Sequence, residues 1–411
     1  MGTRLRIGIV GGSIGGTTAA VLLGRQGHDV IVFERSRSLL EGRGAGIGLP
    51  RALVARLKEV DLLDPTMQGL SAPARVWCVK DGASHLGRVL QVQPMFVDLH
   101  HWGLVHRQVL RRADEVDYRQ GAEVDVVADT GSGAAVHLVD GGVEDFDVVI
   151  GADGYRSRVR AALFPDIRPT YAGYPAWRGI VEEAELADPG PVEEAFQSPA
   201  TPHGHAPFYL VPGVDGATER GGRRLNWLWY DAGVPDDVLG VVRNADGHVE
   251  VAAVNPGEEM PRVQREYLDE ITRDQMPPWH RDVILQTPKP YMQPVYDLEL
   301  GHYVRGRICL LGDAGTLARP HTASGTTKAI QDAFALAEAF AASAGAVPEA
   351  LAAYDTARPA AGRELVQLGR TLGRQQVLDP PVWSDLDEAG FEEWLAHGAS
   401  AKVYAFQADD T

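Results

Sequence analysis

The chain has 411 residues, is 45% hydrophobic and 23% charged, and carries a formal net charge of −17. That length supports a substantial core and two closely joined domains, and the acidic balance speaks against nucleic acid as a partner. Cys78 and Cys309 stand far apart with no metal-ligand or redox spacing, which points to a reducing cytoplasm and no metal; no signal peptide and no run of about 18 apolar residues is present, so stable membrane insertion is not expected.

In chain order, Leu5–Val10, Thr17–Gln26 and Asp29–Glu34 read as strand, helix and strand around the turn G-G-S-I-G-G at 11–16. In this βαβ unit Gly11 permits the bend, Gly16 permits close helix packing, and the helix start offers N–H groups to a pyrophosphate. Ser13 stands where a second glycine is usual, and its hydroxyl can donate to the phosphate; Ile14 and Gly15 complete the turn. Glu34 ends the second strand where a carboxylate can accept ribose hydroxyls, with Arg35 beside it.

Residues 41–50, including Arg43, Gly46 and Ile47, are too glycine-rich for a regular element and read as a loop over a ligand. Arg51–Val60 reads as a helix, residues 72–105 as strands of another sheet, and Val105–Arg112 as a helix on which Arg107 can pair with a phosphate. Val136–Val139 and Asp147–Ile150 read as a hairpin leading into G-A-D-G at 151–154, which holds Asp153 and Gly154; Val126 lies just upstream. Residues 170–300 read as an antiparallel, substrate-covering layer. Ile308–Leu311 then leads into G-D-A-G at 312–315, with Asp313, and P-H-T-A-S-G-T-T-K at 320–328 precedes helices over Lys328–Ala342 and Pro348–Arg374. The stretch Pro320–Lys328, with Pro320, Ala323, Gly325 and Thr326, can turn its backbone N–H groups toward negative charge on a ligand.

Three strand-terminal glycine and aspartate signatures in this order indicate one extended dinucleotide, FAD, along the carboxyl ends of one sheet. The expected fold is α/β: a Rossmann-like FAD-binding domain (1–71, 106–169 and 295–375), a mixed or antiparallel β-sheet substrate domain (72–105 and 170–294), and a C-terminal helical extension (376–411).

With these residues in hand, the chain resembles the group A flavoprotein aromatic hydroxylases, the p-hydroxybenzoate hydroxylase-like class. It is most similar there to hydroxypyridine hydroxylases of the 2,6-dihydroxypyridine 3-monooxygenase type. The narrower likeness rests on P-T-Y-A-G-Y-P-A-W-R-G (169–179), G-H-A-P-F-Y-L-V-P-G (204–213), R-L-N-W-L-W-Y (224–230) and P-H-T-A-S-G-T-T-K-A (320–329). The class motifs G-D-A-A-H and G-Q-G-x-N are absent, so the roles of their His, Gln and Asn do not transfer.

The resemblance implies bound FAD, transient NAD(P)H, O2 and hydroxylation of an electron-rich ring through a C4a-hydroperoxyflavin. The expected partner is a small aromatic substrate, and a homodimer is left open. His205 and His321 are the candidate proton-handling groups, Arg178 can favour a substrate anion, and Tyr209 joins them as a catalytic candidate. Trp177, Trp229, Tyr230 and Tyr296, with Asp297 as a lesser candidate, are expected beside the ring. A flavin epoxidase, a Baeyer–Villiger-type oxygenase and a flavin-binding protein without turnover remain alternatives. A halogenase is disfavoured, because Tyr230, Asp231 and Ala232 do not complete W-x-W-x-I-P.

Overall fold

The computed structural model describes residues 3–38, 40, 46–95, 97–244 and 247–397. β1 (Arg6–Val10) leads through the glycine turn into α1 (Ile14–Arg25) and then β2 (Asp29–Glu34), which pairs with β1 in parallel. On the other side of β1 lies Val148–Gly151, and next to that Ile308–Leu310, both parallel. Asp117–Gln120 and Val304–Arg305 complete a six-stranded sheet. Ile7, Ile9, Val148, Val149 and Ile150 are fully buried, as the inner strands of a parallel sheet require. The parallel strands therefore deliver the three signatures to one edge, the carboxyl ends where α/β sheets bind ligands.

The expected hairpin at 136–150 is corrected. Ala134–Leu138 pairs with Val143–Phe146, whereas Val148–Gly151 leaves to join β1. Asp147 is the switch point: its carboxylate accepts from Arg6 N–H at 2.7 Å and its own N–H donates to the Arg6 carbonyl at 2.9 Å.

The second large sheet has eight strands, in the order 291–297, 170–182, 224–231, 204–205, 196–201, 74–79 and 88–94, with 208–211 pairing both 196–201 and 224–231. Strands 74–79 and 88–94 thus join it as expected, but Val97–His101 pairs instead with Gly46–Pro50 and Leu70–Ser71. Gly46–Pro50 is accordingly a strand rather than loop. Side chains alternate across a strand, so the two faces differ. One carries Trp177, Trp227 and Trp229 and packs on Leu268, Trp279 and Val283 of two helices. The other carries Tyr174, Tyr209, Leu228 and Tyr230.

Gly325–Ala342 packs on α1, where a Cβ on Gly15 would stand 2.8 Å from Leu311 and 3.0 Å from Ala329. The expected helices over 348–374 form one helix of 27 residues, Val347–Gly373, that runs through Pro359. A Cβ on Gly373 would meet the Tyr174 hydroxyl at 2.4 Å, so glycine allows this helix to approach the second sheet. Beyond it come a π-helical turn, Arg374–Leu378, and the helix Glu388–His397. Val377 packs with Tyr174 and Tyr230, and Trp383 stacks on Trp77 at 5.7 Å.

Candidate active site

At the edge of the parallel sheet the turn after β1 is built from backbone alone. Gly11 has φ of +107°, and a Cβ there would lie 2.3 Å from the Ala152 carbonyl; at Gly16 it would lie 2.0 Å from the Gly11 carbonyl. Both positions therefore demand glycine. Ser13 is the N-cap of α1 but its hydroxyl caps nothing, so the first-turn N–H groups, at Ile14 and onward, have no side-chain partner. Glu34 is buried at the end of β2, where its oxygens accept from Gly12 N–H at 2.9 Å and Ser36 N–H at 2.7 Å. Each oxygen retains a lone pair for a further donor. Arg35 points into solvent.

The other end of this edge repeats the pattern. Asp313 follows Gly312, and burial raises its carboxyl pKa against the opposing pull of Lys328 and Arg160. Gly312 is braced from below: Asp332, fully buried, accepts from Gly312 N–H at 2.9 Å, from Lys328 Nζ at 2.5 Å and from Arg358 Nε at 2.6 Å. Pro320 opens a short 3-10 turn, and Ala323 takes φ of +51°, a strained conformation for a residue with a Cβ. Among the described residues nothing lies within 4 Å of a Cβ on Gly325, at the start of the Gly325–Ala342 helix. No side chain caps the N–H groups there, which include those of Gly325 and Thr326. Two uncapped helix starts, a buried strand-end carboxylate and a glycine-only cradle along one edge fit a dinucleotide.

The remaining expected cofactor residues are placed as follows. Asp153 uses its carboxylate to cap the next helix, accepting from Ser157 Oγ at 2.5 Å and Arg158 N–H at 2.7 Å, and Gly154 forms the left-handed turn between them. Arg107 donates to the Val214 carbonyl at 2.7 Å. Val126 is 42% exposed on the Val124–Asp129 hairpin strand. Ile47 is half-buried on the Gly46–Pro50 strand, and Arg43 lies outside the described residues.

On the second sheet, the face opposite the tryptophans gathers His205, Tyr174, Arg178, Tyr209, Tyr230 and His321. The His321 ring lies tilted against Tyr230, with centroids 4.2 Å apart, and against His205 at 5.6 Å, and its Nε2 lies 2.8 Å from the Tyr174 hydroxyl. Tyr209 donates to the Gly46 carbonyl at 3.0 Å, and burial pushes its pKa up to about 12. Gly46 is tied to the same face by donating to Asn226 Oδ1 at 3.3 Å. Arg178 reaches Gln293 Oε1 at 2.6 Å.

Two expected placements are corrected here. Trp177 and Trp229 are fully buried on the far face, because Trp177 neighbours Arg178 and Trp229 neighbours Tyr230 along strands of period 2. Tyr296 packs on Tyr171 at 5.6 Å and accepts from Val251 N–H, away from His321; Asp297 is held by Arg319 and Arg370. His205 is buried beside a cation. Its Nδ1 faces Arg75 Nη2 at 3.3 Å, and a guanidinium only donates, so Nδ1 carries a lone pair and Nε2 the hydrogen. Burial, then Arg75 and His321, keep this imidazole well below its ordinary pKa. Tyr174, Asn226 and Arg75 escaped the sequence reading. Asn226 and Tyr174 carry a signal there, since each lies four positions from a recognised candidate, Tyr230 or Arg178, and so on the same face.

With this geometry in place, comparison defines the class. A family model described as an FAD binding domain matches residues 254–369, another described as FAD binding domain-like matches 171–297, and an NAD(P)-binding Rossmann-like domain matches 9–40. The chain is 30% identical over 341 residues to 2,6-dihydroxypyridine 3-monooxygenase of Paenarthrobacter nicotinovorans, spanning 82% of this chain and 83% of that protein. It is 28% identical over 346 residues to 6-hydroxynicotinate 3-monooxygenase of Pseudomonas fluorescens, spanning 81% of each. The solved 2,6-dihydroxypyridine-3-hydroxylase from Arthrobacter nicotinovorans superposes with a TM-score of 0.81 at 28% identity, covering 93% of this chain and 95% of that one. The chain belongs to the family of FAD-dependent monooxygenases that these relatives represent. Its cofactor is FAD, its co-substrates are NAD(P)H and O2, and its substrate is a small molecule. Among the described residues, no helix is long and apolar enough to cross a membrane.

Proposed function

We propose that this monooxygenase hydroxylates a hydroxypyridine or a phenol held on the Tyr174–Tyr230 face of the second sheet. The observation that carries this reading is the convergence of flat aromatic side chains and polar groups there. The Tyr230 and His321 rings lie tilted together with centroids 4.2 Å apart, and Arg178 shares the face with Tyr209 and Tyr230. The resemblance to two hydroxypyridine-type monooxygenases supports the ring class.

In this reading the Gly11–Gly16 turn and Glu34 hold the nucleotide end of FAD. Asp313 and the N–H groups of Gly325 and Thr326 hold the flavin end. Bound FAD supplies oxidation of NAD(P)H and activation of O2. The protein's own contribution is positional: Tyr230 and Tyr209 offer ring faces, Arg178 and His321 offer polar contacts, and Val377 packs beside Tyr174 and Tyr230. Excluding water protects the reactive oxygen from loss as peroxide. A cytoplasmic location is supported by two buried cysteines that form no disulfide.

The test is NAD(P)H oxidation by the FAD-loaded protein over a panel of hydroxypyridines and phenols, with peroxide measured in parallel. Ring-stimulated oxidation with little peroxide is expected. If no ring in the panel changes the rate, the aromatic-hydroxylase reading fails.

A further inference from the structure

We propose that His106 and Tyr118 are positioning residues for the FAD pyrophosphate: they grip the carbonyl of Gly12 from two separate elements and thereby set the peptide that presents the Ser13 N–H to the phosphates. This inference rests on the reading that places the nucleotide end of FAD at the Gly11–Gly16 turn, but its evidence is the set of hydrogen bonds behind that turn.

Both ends of Gly12 are held. Its N–H donates to Glu34 Oε2 at 2.9 Å. Its carbonyl oxygen receives three donors: Thr17 Oγ1 at 2.9 Å, the Tyr118 hydroxyl at 3.0 Å and His106 Nε2 at 2.8 Å. A carbonyl only accepts, so Nε2 of His106 carries the hydrogen. That imidazole is fully buried, and its ring lies flat on Trp102, one turn earlier in the helix Trp102–Leu110, with centroids 5.2 Å and planes 7° apart. Burial, then the Glu34 carboxylate, push the Tyr118 phenol above its ordinary pKa, so it remains a donor. Its hydroxyl comes so close that a Cβ on Gly12 would lie 2.1 Å away. Gly12 lacks the positive φ of Gly11, so its need for glycine comes from this contact.

A carbonyl oxygen has two lone pairs, so three short donors exceed what holding the turn together requires. Thr17 lies on α1 and moves with the turn, whereas His106 stands on a separate helix and Tyr118 on the strand Asp117–Gln120 at the sheet edge. These two therefore fix the direction of the Gly12–Ser13 peptide against the rest of the domain. In a trans peptide the N–H points opposite to the carbonyl, so drawing the oxygen inward turns the Ser13 N–H outward. Among the described residues nothing accepts from that N–H, and it lies beside the uncapped N–H groups of the α1 start. Donors on the carbonyl also polarise the peptide and strengthen its N–H toward an anion. The same device explains Ser13. Its φ of −72° and ψ of 178° are ordinary for a residue with a Cβ, so the turn is set by outside donors and not by a second glycine.

The test uses the FAD-loaded enzyme, with FAD release followed by flavin fluorescence on dilution and the bound pyrophosphate followed by phosphorus NMR. Tyr118→Phe and His106→Leu are each expected to speed release about 3-fold. The double variant, left with Thr17 alone, is expected to speed it about 30-fold or more, beyond the product of the two single effects. His106→Gln, which keeps a side-chain N–H near the Nε2 position, recovers most of what His106→Leu loses. In the double variant the pyrophosphate lines shift while the visible flavin spectrum stays as in the parent, which a general loosening of the fold would not produce. Release within about twofold of the parent in the double variant, no recovery with His106→Gln, or unmoved pyrophosphate lines overturns the inference. Glu34→Ala separates the two failures. If it releases FAD and the double variant does not, the grip on Gly12 fails alone; if neither does, the placement of the nucleotide end fails with it.

Discussion

At Glu34 the carboxylate that ties Gly12 N–H and Ser36 N–H also ends β2, and in the proposed reading the same group meets the ribose. Glu34→Ala removes two charge-assisted hydrogen bonds in a buried place. It is expected to lower FAD affinity at least about 10-fold, measured by flavin fluorescence on dilution. At Asp332 the carboxylate neutralises two buried cations at once. Asp332→Asn leaves Lys328 and Arg358 uncompensated beneath Gly312, and a loss of about 3–5 kcal/mol in denaturant unfolding is expected. A loss under about 1 kcal/mol would mean that the triad contributes little. Burial, then Arg319 and Arg75, hold His321 at about 3, so it stays neutral throughout the physiological range.

Among the elements, the strand Arg224–Asp231 shows how much the sequence discloses. Its alternation makes plain that Trp227 and Trp229 share one face, and Asn226 and Tyr230 the other. Which face meets the ligand depends on where two helices, Arg262–Gln275 and Pro278–Gln286, come to pack, and that is a tertiary outcome. Large aromatic residues drew attention to Trp177 and Trp229, whereas the polar partners of the chamber are small or sequence-distant. The glycine turn, Glu34 and the Asp313 strand end were legible because each rests on local backbone chemistry. Asp153 caps the next helix through its carboxylate, a role that does not exclude a ribityl or ribose contact. Trp229→Phe is therefore expected to cost about 1–3 kcal/mol of stability with KM for the ring within about twofold. Gly373→Ala pushes a methyl into the Tyr174 hydroxyl and is expected to impair ring binding more than FAD binding, with about 1–3 kcal/mol of overpacking strain. Both comparisons are made by titration and chemical denaturation of the purified variants.

For the molecule as a whole, one parallel sheet presents the glycine-rich edge, and Gly46 and the end of the long helix are drawn against the second sheet. Packing on the second sheet buries titratable groups away from the site as well. His280 is fully buried against Phe208 and Trp279, and burial lowers its pKa from 6.5 to about 3. Below pH 6.5 the unfolded chain binds a proton at His280 that the folded chain refuses until about pH 3. Its contribution to stability is thus complete above 6.5 and lost as pH falls toward 3. His280→Phe should gain on the parent by about 1.4 kcal/mol per pH unit across that window. Parallel denaturation curves at pH 7 and pH 5 check this, and a gap that does not change with pH contradicts it.

The central claim is that one oxygen atom from O2 enters an aromatic ring in this enzyme. The most direct measurement is mass spectrometry of the product formed by FAD-loaded protein with NAD(P)H, a hydroxypyridine substrate and isotopically heavy O2. The account predicts a product heavier by one labelled oxygen, formed in near-equal amount to the NAD(P)H consumed. Consumption of NAD(P)H with the label recovered only in hydrogen peroxide, across the whole ring panel, would contradict it.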